Sequence, residues 1–144
     1  MGIVAGLAAF GLSAWLLAGN TSGWQIFVVI SPVAAFLTGF VLWWSLMTLR
    51  PRVSLLFGLL VGALIGILAH PVAWYLAILW MYFSGETSSL GEAPLNPVEG
   101  ILYAPVYALP SLLIAGWLSV PLGLIGGGLV AYLQSKFIGR SVTA

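Results

Sequence analysis

The chain has 144 residues, of which 62% are hydrophobic and 5% are charged, and its formal net charge is +1. Soluble domains carry roughly 25% charged residues, so this composition excludes an ordinary water-soluble domain and predicts a protein of the lipid bilayer. The sequence contains no cysteine, which excludes disulfide bonds and thiolate metal sites.

Four apolar segments predict membrane-spanning helices, because such a helix needs about 20 apolar residues. They cover residues 3–18, 25–49, 53–83 and about 112–134. The predicted fold is an all-α integral membrane protein, a compact bundle of four transmembrane helices that forms one domain over residues 1–144. The first segment is short, and we interpret it as an uncleaved span, since it lacks the basic region and the clear cleavage site of a signal peptide.

The charged residues predict the orientation, since Lys and Arg are retained on the cytoplasmic side of a membrane. Arg50 and Arg52 lie between the second and third segments. Lys136 and Arg140 follow the fourth segment, whereas all three glutamates lie in the polar loop 84–100. We therefore expect both termini in the cytoplasm and the acidic loop outside. The short loops favour a prokaryotic inner membrane.

The apolar stretch before the C-terminal tail is too long for one span. Residues 101–134 would form a helix of about 50 Å, against a hydrocarbon core of about 30 Å. Pro105 and Pro110 predict a break, because each removes a backbone donor. We therefore predict an interfacial or re-entrant segment over about residues 98–109. The alternative is the top of a long, kinked fourth helix.

Glycine repeats predict where helices pack closely. Gly58, Gly62 and Gly66 recur at every fourth position of the third segment, and Gly123 and Gly127 have the same spacing in the fourth. Lipid tails are as apolar as leucine, so membrane helices associate through close packing, which small residues permit. These five glycines are the predicted helix-packing residues.

His70 is the only histidine, and it lies inside the apolar third segment. Gly66 precedes it by one helical turn, and Ala73 and Trp74 follow it by one turn, so its neighbours on the helix are mostly small. Its distance from the predicted inner end of the segment is about 25 Å, which predicts a position in the outer leaflet. His70 therefore faces another helix or a bound group.

Serines beside prolines recur at the same predicted depth. Ser31 precedes a proline on the second segment and Ser119 lies close to one on the fourth, while Pro71 directly follows His70. Polar side chains near such breaks can satisfy freed backbone groups. Ser31, His70 and Ser119 are therefore predicted to line one polar cavity. In the simplest interpretation, a neutral His70 hydrogen-bonds a serine hydroxyl or a freed carbonyl and holds the helices together.

A second interpretation makes His70 the axial ligand of a chlorin or haem, since imidazole is a usual axial donor. Gly66 lies four positions before His70, and Trp74 and Trp80 follow it. Over about 15 residues this pattern resembles the light-harvesting antenna polypeptides of purple bacteria, from which Pro71 departs. The resemblance implies a pigment bound to His70. A third interpretation, a proton or substrate path, normally requires a carboxylate within the membrane, and the glutamates are predicted outside.

No catalytic activity is predicted, because the sequence offers no histidine pair, no Cys–His pair and no buried acid–base couple. No metal site, nucleic acid or nucleotide is expected either, since the glycine run 124–129 lacks the strand and lysine of a phosphate-binding loop. The expected function is an accessory or scaffold subunit of a larger membrane complex, which packs through glycine ridges and aromatic belts. Its expected partners are the lipid bilayer and other subunits or copies of itself, without a cofactor. The alternatives are a small oligomeric channel or transporter, and a pigment- or haem-binding subunit.

Overall fold

The structure, a computed structural model, describes residues 1–16, 26–48, 54–87 and 93–141. This part of the chain is helical and contains no strand, as the composition predicts. The four α-helices are α1 (Gly2–Leu16), α2 (Phe27–Trp43), α3 (Leu55–Ser84) and α4 (Pro97–Ser141), and a π-helical turn (Trp44–Thr48) extends α2. Each helix packs against the next in chain order, and α1 also touches α4.

Three of these helices are long and apolar enough to cross a membrane. They are α3, α4, and α2 together with part of its π-helical extension. Helix α1 has 15 residues and is therefore about 22 Å long, less than the hydrocarbon core of about 30 Å. It runs antiparallel to α2, with Gly2 beside Phe36 and Gly6 beside Pro32. That the first segment crosses the whole membrane stays a prediction.

The ends of α3 and α4 have clear local causes. Helix α3 ends at Gly85, whose φ of 70° is a left-handed conformation that glycine adopts without a steric penalty. Helix α4 begins with a reciprocal cap: the Glu99 amide donates to Asn96 Oδ1 at 2.9 Å, and the Asn96 amide donates to Glu99 Oε2 at 3.4 Å. The last residues of the predicted acidic loop therefore belong to α4.

The predicted break before the last helix is wrong. Helix α4 is continuous from Pro97 to Ser141, as in our alternative of a long fourth helix. The position of residues 98–109 relative to the membrane interface stays a prediction. Pro105 and Pro110 are exposed. Ala104 and Ala108, in contrast, are almost fully buried. The burial of Ala104 and Ala108, on both sides of Pro105, thus outweighs the hydrogen bonds that the prolines remove.

Helices α3 and α4 cross with their backbones in contact. A Cβ atom on Gly62 would overlap the carbonyl oxygen of Gly123, and a Cβ atom on Gly66 would lie 2.6 Å from the carbonyl oxygen of Ser119. A Cβ atom on Gly58 would overlap the Cβ atom of Ala131. All five predicted packing glycines lie at this crossing: Gly58, Gly62, Gly66, Gly123 and Gly127. They face each other within the chain, so the surface that they form is already used by the contact between α3 and α4.

Two buried clusters hold α2 against α3. The first contains Trp43, Met47, Val61, Ile65 and Ala131. The second contains Ile30, Ala34, Ala73 and Ala77. His70 lies on α3 between these two levels. The two clusters therefore fix α3 before and after His70, and the imidazole ring points towards α4.

Candidate functional site

His70 connects α3 to two serines of α4. Its Nδ1 atom lies 3.0 Å from Ser111 Oγ, and its Nε2 atom lies 3.0 Å from Ser119 Oγ. These serines are eight residues apart, which is about 12 Å along a helix. A single partly buried ring therefore ties two successive stretches of α4 to the same point of α3.

Each serine also contacts the backbone. Ser111 Oγ donates to the carbonyl oxygen of Ala108 at 2.9 Å, and Ser119 Oγ lies 3.3 Å from the carbonyl oxygen of Gly66 on α3. The Trp74 indole N–H donates to Ser111 Oγ at 3.3 Å. The imidazole, the indole, both hydroxyls and two backbone carbonyls thus form one connected network. We call it the His70 network.

The hydrogen-bond distances of the two serines favour one assignment of the ring proton of His70. A serine hydroxyl has one hydrogen and two lone pairs. Ser111 Oγ lies 2.9 Å from the carbonyl oxygen of Ala108, whereas Ser119 Oγ lies 3.3 Å from that of Gly66. We therefore assign the hydrogen of Ser111 to Ala108, so that its lone pairs accept from Trp74 and from His70 Nδ1–H. In a neutral ring Nε2 is then bare, and it accepts the hydroxyl hydrogen of Ser119. Every polar group of the network has a partner in this arrangement.

We expect neutral His70 to carry its proton on Nδ1. Because the chain has one histidine, ¹⁵N spectra of histidine-labelled protein give a single pair of ring signals, from which the protonated nitrogen is assigned. Ser111→Ala should remove the preference of the ring proton for Nδ1. Ser135→Ala is the control, since that exposed serine bonds only the carbonyl of Tyr132 on its own helix. A proton on Nε2 in the parent protein would contradict the network.

A cavity of about 150 Å³ lies beside the His70 network, among all four helices. Ser31 of α2, His70 of α3 and Ser119 of α4 line it, together with Ser13 of α1. The rest of the wall is mostly alanine, glycine and aliphatic side chains. The three polar residues singled out in the sequence thus line one cavity, and their functional role stays a prediction.

The other residues predicted around His70 separate into two groups. Gly66 and Ala73 line the cavity. Trp74 joins the network through Ser111 instead, and its ring packs against Phe27 and Tyr107 with centroid distances of 5.0 and 5.6 Å. Trp74 therefore supports the network rather than forming the cavity wall.

Sequence reasoning missed Ser111 and Ser13. Ser111 directly follows Pro110, and that signal is the same serine–proline pairing that marks Ser31. Ser13 has no such signal: its hydroxyl donates to the carbonyl oxygen of Phe10, one turn earlier on the same helix. A lone helical serine of this kind is ordinary and gives no indication of what it faces.

The residues around His70 do not fit a chlorin or haem. An axial ligand needs a free ring nitrogen, and both nitrogens of His70 lie at hydrogen-bond distance from serine hydroxyls. The cavity of about 150 Å³ is also smaller than the roughly 300–1,000 Å³ typical of small-molecule and cofactor sites. The geometry favours the structural interpretation of His70.

No model of a protein family matches the chain, and no curated protein or solved structure does so either. Within the described ranges, no three His, Asp or Glu side chains come together as a metal site.

Proposed function

We propose that this chain is a multi-pass membrane protein that serves as an accessory or scaffold subunit of a larger membrane complex. The observation that supports this most is Trp117, which is 66% exposed on the outward side of α4. Its N–H donates to the carbonyl oxygen of Ile114 at 2.8 Å, so its polar group is satisfied within its own helix. The side chain therefore presents only apolar surface to its surroundings.

The position of Trp117 favours a protein partner over lipid alone. Tryptophans that face lipid collect at the membrane interfaces, near helix ends. Trp117 lies two residues from Ser119, which contacts Gly66 in the middle part of α3, so it is far from either end of the helix pair. Large side chains surround it, with Leu113 83% exposed and Ile114 67% exposed. Tryptophan at the centre of an apolar face is typical of residues that anchor an interface.

The proposed contact surface for a partner subunit is the outward face of α4 and not the glycine ridges. The glycines are covered by the crossing of α3 with α4, so they stabilise the subunit itself. The His70 network has the same internal role, because it joins the same two helices. A rigid helix pair with an apolar outer face is suited to holding a neighbouring subunit.

The native complex provides the direct test. We expect the chain, purified from its native membrane in mild detergent, to co-purify with other membrane proteins identified by mass spectrometry. Trp117→Ala should reduce their recovery, because it removes the central apolar side chain of the proposed face. Trp80→Ala is a matched control, since Trp80 is also exposed but lies close to the end of α3.

Other results would support the alternatives. Purification as a homo-oligomer alone would favour the channel or transporter, and a visible absorption band would favour a pigment. The channel finds less support in the described residues, because Glu86 lies just beyond α3 and Glu99 lies in the first turn of α4. Both are exposed at an end of the bundle, whereas coupled transport normally needs a carboxylate within the membrane.

The proposed orientation has both termini in the cytoplasm and the segment between α3 and α4 outside. Glu86 and Glu99 are exposed at one end of the α3–α4 pair, and Lys136 is exposed towards the other. This separation of charge supports the orientation, because basic residues remain inside. Arg50, Arg52 and Glu92 lie outside the described residues.

Cysteine labelling tests this orientation in intact cells. Because the chain has no cysteine, each introduced thiol is unique. We expect Ser89→Cys to react with a membrane-impermeant thiol reagent, while Arg52→Cys and Ser141→Cys react only after the cells are opened. Labelling of Ser141→Cys but not Ser89→Cys in intact cells would reverse the topology.

A further inference from the structure

We propose that the cavity beside the His70 network is a binding site for small, neutral, membrane-soluble alcohols or phenols. The ligand class is a compact apolar body that carries one hydroxyl group. This inference is independent of the proposed scaffold role. Three features carry it: the size of the cavity, the hydrogen-bonding state of its polar groups, and its position between α1 and α4.

The size limits the ligand to roughly that of a single six-membered ring. The cavity measures about 150 Å³. An apolar protein cavity of about this volume is known to hold benzene. Alanine and glycine make up much of the wall, including Ala8 and Ala9 of α1 and Ala69 of α3, so few long side chains can turn inward to fill it. A lipid headgroup or a macrocycle is too large.

Ser31 makes no hydrogen bond within the described residues, but the other polar groups of the wall have already used their hydrogens. Ser13 Oγ donates to the carbonyl oxygen of Phe10 at 3.2 Å. The hydroxyl hydrogen of Ser119 goes to His70 Nε2 at 3.0 Å or to the carbonyl oxygen of Gly66 at 3.3 Å. The His70 proton on Nδ1 is directed to Ser111.

At Ser13 and Ser119 the cavity therefore offers hydrogen-bond acceptors, and at Ser31 it also offers one donor. The oxygens of Ser13 and Ser119 retain lone pairs, because a hydroxyl accepts two hydrogen bonds while donating one. A ligand with an O–H group supplies the missing donor. An ether or a ketone of the same size could accept only from Ser31 and has no hydrogen to donate to Ser13 or Ser119, so it forms one hydrogen bond fewer than a phenol. Hydrogen-bond polarity thus distinguishes a phenol from its methyl ether.

The position of the cavity gives such molecules a route from the membrane. Helix α1 packs closely on α2 but touches α4 only slightly. At this seam, the atoms nearest to an ideal Cβ on Gly126 are the side-chain ends of Met1 and Val4, at 3.4 and 3.6 Å. Both of these side chains line the cavity and are flexible or small. A solute dissolved in the bilayer therefore reaches the serines sideways, between α1 and α4.

Fluorine NMR of the protein in lipid nanodiscs tests the site with 4-fluorophenol and 4-fluoroanisole as probes. We expect saturable binding of 4-fluorophenol that unlabelled phenol displaces. 4-Fluoroanisole should bind about fivefold to tenfold more weakly, which corresponds to one neutral hydrogen bond. Nanodiscs without protein measure the partition of both probes into lipid.

Two variants locate the binding. Ala8→Leu fills the cavity and should abolish saturable binding, whereas Ala14→Leu, on the same helix but outside the cavity lining, should leave it unchanged. Ser13→Ala keeps the space and lies outside the His70 network, so it should reduce the preference for the phenol by about threefold or more. Circular dichroism verifies that each variant is folded.

Three results would overturn the site. They are the absence of saturable binding to the parent protein, equal binding of phenol and anisole, and equal binding to the folded Ala8→Leu and Ala14→Leu variants. The first would mean that the cavity holds only water or lipid chains. None of the three bears on the co-purification experiment, so the two proposals fail separately.

Discussion

Gly62→Ala is expected to lower the free energy of unfolding by about 2–3 kcal/mol, through a single added methyl group. That Cβ atom would overlap the carbonyl oxygen of Gly123, which belongs to the backbone of the facing helix and cannot rotate away. The helices must then separate along their crossing, and overpacking of this kind costs about 1–3 kcal/mol. The measurement is the unfolding equilibrium in mixed detergent–lipid micelles titrated with a denaturing detergent.

Gly11→Ala provides the matched control for the effect of alanine in an apolar helix. Gly11 is exposed on α1, and an added Cβ atom there meets nothing within 4 Å. Its replacement should change stability by no more than about 0.5 kcal/mol. Gly66→Ala should be destabilising like Gly62→Ala, because its Cβ atom would lie 2.6 Å from the carbonyl oxygen of Ser119. Equal stabilities of the Gly62 and Gly11 variants would contradict the backbone contact.

The helical class was predictable, but the partner of the glycine face was not. Composition alone excludes a soluble domain, and a spacing of four places Gly58, Gly62 and Gly66 on one side of a helix. Such a repeat indicates that another helix packs closely against this side. It carries no information on whether the approaching helix belongs to the same chain. The structure provides that answer, since Gly62 meets Gly123 of α4.

The candidate site was predictable in part, and the missing residue has an identifiable cause. The pairing of serines with prolines singled out Ser31 and Ser119, which do line a cavity with His70. Ser111 was missed because the chain was predicted to break at Pro110. The continuity of α4 places Ser111 eight residues before Ser119, so both reach the same ring. Packing against α3 determines that continuity, and no local pattern of α4 reveals it.

His70→Leu is the second change with a large expected effect, a loss of about 1–3 kcal/mol in the free energy of unfolding. It removes both hydrogen bonds between the ring and α4. Hydrogen bonds between membrane helices contribute about 0.6–2 kcal/mol each. The loss is limited because Ser111 can still donate to Ala108, and Ser119 to Gly66, so neither hydroxyl hydrogen is left without an acceptor.

His70→Gln is the control that separates hydrogen bonding from other chemistry of the ring. The amide has a donor nitrogen and an acceptor oxygen, which match the Nδ1–H directed to Ser111 and the bare Nε2 that faces Ser119. The loss of stability should therefore stay below about 1 kcal/mol.

A double-mutant cycle tests the bond between His70 and Ser111 directly. Ser111→Ala should lower the free energy of unfolding clearly less in the His70→Leu background than in the parent, because the shared bond is already absent. If glutamine is as damaging as leucine, or if the mutant loses a chromophore that the parent carries, His70 does more than hold α3 against α4. We expect neither result, because the two serines already occupy both nitrogens of the ring.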